Sequence, residues 1–262
     1  MRLPIYQVDA FTDAVFGGNP AAVVPLDSWL PDERLQAIAA ENNLAETAFL
    51  VPAGGDYAIR WFTPTVEVDL CGHATLAAAH VITTATEPGR ERIDFRTRQA
   101  GRLTVERQGD LLVLDFPSRP ATRADVHPDL FAALGGGQPD EVLAARDVLV
   151  VYRDADVVRS LTPDLLRLGT VDDRPVCVTA PGADGVDFVS RFFAPTMGIP
   201  EDPVTGSAHC TLIPYWAARL GRTKLTARQV SARGGALTCE LRGDRVKIGG
   251  KAVLYLEGTI RV

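Results

Sequence analysis

No apolar run in the chain approaches the ~20 residues needed to cross a bilayer, so no membrane-spanning helix is expected. The 27 basic residues, against 33 acidic ones, are scattered as single side chains and form no basic stripe of the kind a nucleic-acid surface requires. Cysteine is sparse: Cys71, Cys177, Cys210 and Cys239 lie far apart, with no CxxC pair. Free thiols in a reducing compartment fit this usage better than a disulfide framework. The opening stretch, Met1 to Asp9, lacks a signal-peptide core and reads directly as a strand. The expectation is a soluble cytoplasmic protein with no nucleic-acid or membrane partner. Nucleotide and hydrolase signatures are missing too. No GxGxxG follows a strand, there is no P-loop, and neither GxSxG nor HExxH occurs. His73 and His80, seven residues apart, would stand two turns apart on a helix, too far for one ion. A reaction without metal or cofactor is the simplest expectation.

What is present is an apolar share of 46% over 262 residues, enough for one large domain or two of about 130 residues. Ile5 to Phe11 reads as a strand, Phe16-Gly17-Gly18-Asn19-Pro20 as a turn, and Ala21 to Leu26 as a strand. Pro31-Asp32-Glu33 opens a helix whose apolar face is Leu35, Ile38 and Ala39. Glu46 then falls at a helix-to-strand junction among Leu44, Ala45, Ala48 and Phe49. Tyr57 to Phe62 is a strand, and Thr75 to Ile82 is apolar on nearly every face, the mark of a fully buried helix. Strands are expected at 93–98, 102–108 and 111–116, the last two joined as a hairpin by Gln108-Gly109-Asp110. A Pro- and Arg-rich linker is expected over 117–128.

The second half repeats the first. Phe62-Thr63-Pro64-Thr65, followed by Cys71-Gly72-His73-Ala74, is answered by Phe193-Ala194-Pro195-Thr196, followed by Thr205-Gly206-Ser207-Ala208. Arg60-Trp61-Phe62 matches Arg191-Phe192-Phe193 at an offset of 191 − 60 = 131, and Gly72 matches Gly206 at 206 − 72 = 134. Leu103-Thr104-Val105-Glu106 matches Leu237-Thr238-Cys239-Glu240, also at 134. A period of half the chain implies a duplicated β-rich unit with a central helix.

Gly72 and Gly206 each precede an apolar run, so each is expected to place free backbone N–H groups at a helix start, a ready site for a carboxylate. Capping alone would also account for such residues. If a pseudo-twofold relates the halves, the two helix starts converge on one cleft rimmed by Asp69, His73, Asp202 and Ser207. A symmetrical two-thiol racemase is excluded, because the counterpart of Cys71 is Thr205 at 205 − 71 = 134. Cys71 reads as a small buried packing residue. Glu46 is the better base, since burial among apolar neighbours disfavours its charged form and suits proton exchange with carbon. Its counterpart at an offset of 131 is Cys177, so the acid belongs to one half only. A single base fits a suprafacial proton shift better than inversion at carbon. His80 and His209 read as structural, His127 as exposed, and Pro214 should kink the second apolar helix or delay its regular part.

Tyr6-Gln7-Val8-Asp9-Ala10-Phe11, Gly18-Asn19-Pro20, Asn43-Leu44-Ala45-Glu46-Thr47-Ala48-Phe49, Phe62-Thr63-Pro64, Gly72-His73 and Glu201 to Ala208, in this order, resemble the PhzF-like isomerase/epimerase family, whose fold is that of diaminopimelate epimerase. The resemblance implies an α+β fold of two pseudo-symmetric domains, each a curved, mostly antiparallel sheet wrapped around a central apolar helix. The domains would be 1–117, completed by a C-terminal strand at 254–262, and 118–253, with the active site in the cleft between them and commonly a homodimer. By motif, Glu46 would be the general acid/base, with Asp202, His73 and Ser207 completing the catalytic set. Gly72 and Gly206 would offer backbone N–H groups to a substrate carboxylate, and Asn19, Thr205 and Cys71 would line the substrate. The implied activity is a cofactor-independent proton shift on a small carboxylate-bearing molecule. The alternatives are an epimerase or racemase of a small amino or hydroxy acid, and a non-catalytic binding protein. Asp69, Cys71 and Ala74-Thr75 depart from the phenazine enzyme of the family, so the match carries the family and not its substrate.

Overall fold

The computed structural model describes residues Met1–Val262. The chain divides into two compact units, Met1–Phe116 with Ile248–Val262, and Pro117–Lys247.

In the first unit, β1 (Arg2–Ala10) pairs antiparallel with β2 (Asn19–Pro25). Helix α1 (Asp32–Asn42) follows, with Leu35, Ile38 and Ala39 buried against Leu3, Val24, Leu26, Phe49 and Phe62. It stops at Asn43, which takes a left-handed conformation (φ 50°) and returns its N–H to the Ala39 carbonyl. β3 (Glu46–Ala53) lies parallel to β2 and antiparallel to β4 (Asp56–Phe62). A two-residue strand, β5 (Glu67–Val68), folds back on β4. Helix α2 (Gly72–Val81) is buried at every position except His80, as its all-round apolar sequence requires. β6 (Arg92–Arg96) runs parallel to β4 and pairs with β7 (Arg102–Gln108), which forms the expected hairpin with β8 (Leu111–Pro117).

The second unit opens with a short β9 (Thr122–Arg123) inside the expected linker, then α3 (Asp129–Leu134) and the antiparallel pair β10 (Glu141–Ala144) and β11 (Val148–Val151). Helices α4 (Ala155–Ser160) and α5 (Leu165–Val171) are N-capped by the Asp154 and Asp164 carboxylates and bury Val158 and Leu168 in one core with Leu130, Val150, Val178 and Phe193. β12 (Val176–Pro181) is parallel to β11 and antiparallel to β13 (Phe188–Ala194), on which β14 (Ile199–Asp202) folds back. After α6 (His209–Leu220) come β15 (Lys224–Gln229), parallel to β13, then β16 (Gly235–Arg242) and β17 (Arg245–Gly250). The last strand, β18 (Ala252–Arg261), joins the first unit by pairing along β1.

Strand pairing therefore repeats the same series in both units, and so does one clamp. Arg60 forms ion pairs with Glu67 at 2.7 Å and stacks over Phe62; Arg191 pairs with Glu201 at 2.7 Å and stacks over Phe193. Each bidentate Arg–Glu bond pins the fold-back strand that leads to a central helix. The extra residues of the second copy form a one-turn helix at Pro195–Met197, which widens the offset from 131 to 134.

Three expectations need correction. Asn19-Pro20 is not part of a turn but the start of β2; the turn ends at Gly18. There φ is +60°, and a Cβ would run into the Ala10 carbonyl oxygen, so only glycine fits. By strand register the counterpart of Glu46 is Pro175, not Cys177. Thr47 faces Phe62 and Val176 faces Phe193, so the offset on this strand is 176 − 47 = 129. Finally, Gly206 precedes α6 as expected but stands three residues before its first residue, His209, so its N–H is not at the helix start. Residues 206–208 form a tight turn, with His209 N–H bonded to the Gly206 carbonyl and Cys210 N–H to that of Ser207. Pro214 sits within α6 without ending it; the Cys210 carbonyl, which a proline four residues on cannot serve, accepts the Arg119 N–H at 2.8 Å instead.

Candidate active site

The first unit assembles three of the expected site residues around the imidazole of a fourth. Asn19 opens β2, Glu46 opens β3, and Cys71 is the residue from which α2 starts. Ala21 pairs with Glu46 across the parallel strands, which sets the carboxylate two residues from Asn19 along the neighbouring strand. His73, in the first turn of α2, is 3% exposed and takes a contact on each side. Its Nε2 lies 3.0 Å from Glu46 Oε2, and its Nδ1 lies 3.1 Å from Asn19 Nδ2 and 3.5 Å from Cys71 Sγ. Glu46 Oε2 takes no well-aligned hydrogen bond, so its contact with the imidazole is chiefly electrostatic.

Burial opposes a charge on His73, but Cys71, by its contact with the ring, and the Glu46 carboxylate beside it outweigh that cost and hold its pKa well above the ordinary histidine value. Burial, and next the Glu46 carboxylate, push the Cys71 thiol up to about 11, so at neutral pH it keeps its proton. The carboxylate is then the charged partner of the imidazole. Asn19 can serve either state of the ring: its amide nitrogen donates to a bare Nδ1, and the amide turned over accepts from Nδ1–H. Cys71 is thus buried, as expected, yet its sulfur rests on the imidazole and is not simple packing. Gly72, His73 and Ala74 open α2, and their N–H groups precede any intrahelical acceptor.

The second unit builds a different constellation. Asp202 ends β14 and is 7% exposed; its Oδ2 accepts the Thr205 hydroxyl at 2.5 Å. Gln229, the buried last residue of β15, donates to the Asp202 carbonyl at 2.7 Å and to Thr205 Oγ1 at 3.1 Å. Its Oε1 accepts the Thr205 N–H at 2.8 Å. His209 Nδ1 donates to the Thr205 carbonyl at 2.8 Å, and full burial lowers its pKa to about 4, which keeps it neutral. Gly206 and Ser207 follow in the tight turn, Gly206 buried and Ser207 half-buried. Asp69, expected on the rim, is exposed ahead of α2. His127 is exposed as expected.

Gln229 was missed in the sequence. The signal was there: in Leu225, Ala227 and Gln229 every second residue faces inward, and an amide at the end of an apolar alternation needs a polar partner.

The paired units, the buried central helices and the carboxylate–imidazole contact at one helix start define an α+β protein of the isomerase/epimerase class. The family model described as "Phenazine biosynthesis-like protein" matches residues 8–258, and the chain belongs to that family. An uncharacterized isomerase of Pseudomonas aeruginosa is 54% identical over 100% of both chains. A crystal structure of a phenazine biosynthesis protein of the PhzF family from Enterococcus faecalis superposes with a TM-score of 0.96 at 49% identity, covering 100% of each chain. A probable proline racemase from Agrobacterium radiobacter, 13% identical, covers 99% of this chain and 92% of its own with a TM-score of 0.66, and shares the fold alone. The chain is an enzyme, an isomerase of PhzF type. No helix is long and apolar enough to cross a membrane.

Proposed function

We propose that the protein catalyses a cofactor-independent proton shift between two carbons of a small carboxylate-bearing substrate, with Glu46 as the general acid/base. The observation that carries this reading is the Glu46–His73 contact: a carboxylate 8% exposed, against an imidazole that favours its charged form. In that pairing Glu46, oriented by His73, removes a proton from one carbon and returns it to the neighbouring one. The N–H groups at the start of α2 are the complement for a substrate carboxylate. The second unit is assigned the orienting role, through Asp202, fixed by Thr205 and Gln229, and through Gly206 and Ser207 in the turn before α6.

The epimerase alternative with Glu46 and Cys71 as opposed bases is less well supported. The donor atoms of Glu46, Cys71 and His73 all lie within 4.8 Å of one another, too close for two groups that must flank a carbon from opposite faces. Two further readings accompany the proposal. Four buried free cysteines suit a reducing cytoplasm. A homodimer is favoured by β18, on which Leu254, Tyr255 and Leu256 are 39–47% exposed, and sedimentation tests it directly.

The decisive measurement is a heavy-water exchange screen over small carboxylic and amino acids, read by mass. The wild type is expected to introduce deuterium into, or transfer it within, one class of acid. Glu46→Gln should lose that activity by a factor on the order of 10²–10⁴ while staying folded. Full turnover by Glu46→Gln removes the assignment.

A further inference from the structure

His80, expected to be structural, is the one position of α2 that is not buried, and its ring makes no hydrogen bond. Its carbonyl accepts the Thr84 hydroxyl at 2.7 Å and the Thr83 hydroxyl at 3.2 Å. There the helix widens into a turn at Ile82–Thr86, closed by the Glu87 N–H on the Ile82 carbonyl at 2.7 Å, a local widening that often accompanies a functional site. Together with Arg107, Asp110 and Lys251, these residues line a cavity of about 270 Å³ in the first unit, between the C-terminal end of α2, the β7–β8 hairpin and the start of β18. Three observations say what it would hold. First, Arg107 gives its Nε to the Gly109 carbonyl at 3.1 Å and forms no ion pair. Burial, and next the Arg107 charge, lower the His80 pKa, so a neutral imidazole stands within electrostatic reach of a free guanidinium. Second, Asp110 pairs with neither cation of the cavity, and the Lys251 ammonium lies 3.6 Å from Asp13 instead. Opposite charges thus face one space without closing on each other. Third, the Thr83 and Thr84 hydroxyl protons are committed to helix carbonyls, which leaves their oxygens as acceptors.

We propose that this cavity binds a small zwitterionic α-amino acid, its carboxylate held by Arg107 and His80 and its ammonium by Asp110 and the threonine oxygens. With His80 neutral, Arg107 and Lys251 balance Asp13 and Asp110, a net lining charge of 2 − 2 = 0 that matches a ligand carrying both signs better than a bare anion. The volume suits an amino acid with a short side chain rather than a drug-sized molecule. The cavity is separate from the Glu46 site. His80 stands 80 − 73 = 7 residues beyond His73, ~10 Å along the axis of α2, at the other end of the buried helix. Binding here does not depend on the proposed reaction.

The test follows the ring resonances of the four histidines in the full chain by NMR, with His80→Gln identifying the one that matters. Glycine and L-serine are titrated beside acetate, methylamine and inorganic phosphate. Both amino acids should shift the His80 resonance saturably and raise its pKa, as a carboxylate beside the ring must. Acetate should bind at least ~10-fold more weakly, and methylamine should leave the resonance unmoved. Arg107→Gln should weaken the amino acids and acetate alike by ~10-fold or more, whereas Asp110→Asn should weaken the amino acids alone. Both substitutions fall on exposed side chains, and the unchanged resonances of the other histidines check the fold. No shift at His80, or a shift that persists in Arg107→Gln, overturns the site. Acetate or phosphate binding as tightly as the amino acids overturns the zwitterion. Glu46→Gln should keep the His80 shift, so this reading and the proposed reaction fail separately.

Discussion

The two units carry the same framework and opposite chemistry at matched positions. By the offset of 134, Cys71 answers to Thr205 and Thr75 to His209. The back-bond between those positions is kept: Thr75 Oγ1 donates to the Cys71 carbonyl at 2.5 Å, and His209 Nδ1 donates to the Thr205 carbonyl at 2.8 Å. What differs is the partner of the first side chain. The Cys71 sulfur meets an imidazole coupled to a carboxylate, whereas the Thr205 hydroxyl closes a ring of neutral donors around Asp202. Where the first unit holds a charge pair in a poorly aligned contact, the second ties Asp202, Thr205 and Gln229 together with short hydrogen bonds and leaves only the far nitrogen of the neutral His209 ring without one. Duplication thus preserved what holds each central helix in place and released the side chains in front of it. The poorly satisfied copy is the one suited to moving a proton, and the satisfied copy is suited to holding still.

The largest test of this contrast is catalytic. Removing the charge from the first unit with Glu46→Gln should cost on the order of 10²–10⁴ in exchange rate. It should also bring the His73 pKa down toward its ordinary value, since Glu46 is among the groups that raise it. An NMR titration of the His73 ring protons checks this, and a titration unmoved by Glu46→Gln would show that the pair does not couple.

Acid stability comes next and separates the two histidines by sign. His209 has a folded pKa of about 4 against an ordinary value of 6.5, so the folded chain binds fewer protons than the unfolded chain in that window. Its contribution is complete above pH 6.5 and is lost as the pH falls toward 4. At about 1.4 kcal/mol per tenfold change in proton concentration, the loss across the window is of order 3 kcal/mol. His73 has a raised folded pKa, so its contribution is complete below 6.5 and is lost as the pH rises through the folded value. Melting curves between pH 7 and 4 should therefore lose the His209 component in His209→Gln and keep it in His73→Gln. Equal acid slopes in both variants would erase the distinction.

Gln229→Leu tests the satisfied copy. It keeps the side-chain size and leaves the Thr205 N–H and the Asp202 carbonyl each without this partner, for an expected loss of about 2–3 kcal/mol by chemical denaturation. By strand register the counterpart in the first unit is Thr97, whose hydroxyl bonds only the nearby Gly101 carbonyl, and Thr97→Val should cost well under 1 kcal/mol. A large effect at Thr97 with a small one at Gln229 would reverse the contrast.

How much of this was legible follows from which features are local. The duplication could be read because the Arg–aromatic and Gly motifs are short and sit at nearly constant offsets. Glu46 could be placed because its apolar neighbours and the strand after it are contiguous. The counterpart of Glu46 was misplaced by two residues because the chain from Val176 to its partner Phe193 is two residues longer than that from Thr47 to its partner Phe62, a change that leaves no trace in the motifs on either side. The Glu46–Cys71–His73 cluster could not be seen at all by spacing. It depends on β3 lying beside β2 and on α2 starting at their ends, which are tertiary facts.

The smallest effect addresses the feature that both copies share. Thr75→Val keeps the branched shape at a fully buried position and removes only the hydroxyl that donates to the Cys71 carbonyl. That carbonyl still accepts the Thr75 N–H at 3.2 Å, so no buried group is left bare, and the expected loss is about 1 kcal/mol. At Thr205 the corresponding carbonyl takes its bond from a histidine whose ring also packs 5.9 Å from Phe188, so His209→Val removes packing along with the hydrogen bond. It should cost 2 kcal/mol or more, on the order of a large-to-small core change. If the two substitutions cost the same, the back-bond alone sets both helix starts and the different side chains that make it are interchangeable. If Thr75→Val is the costlier, the helix start in the first unit is strained and the Cys71 carbonyl bond is what contains it.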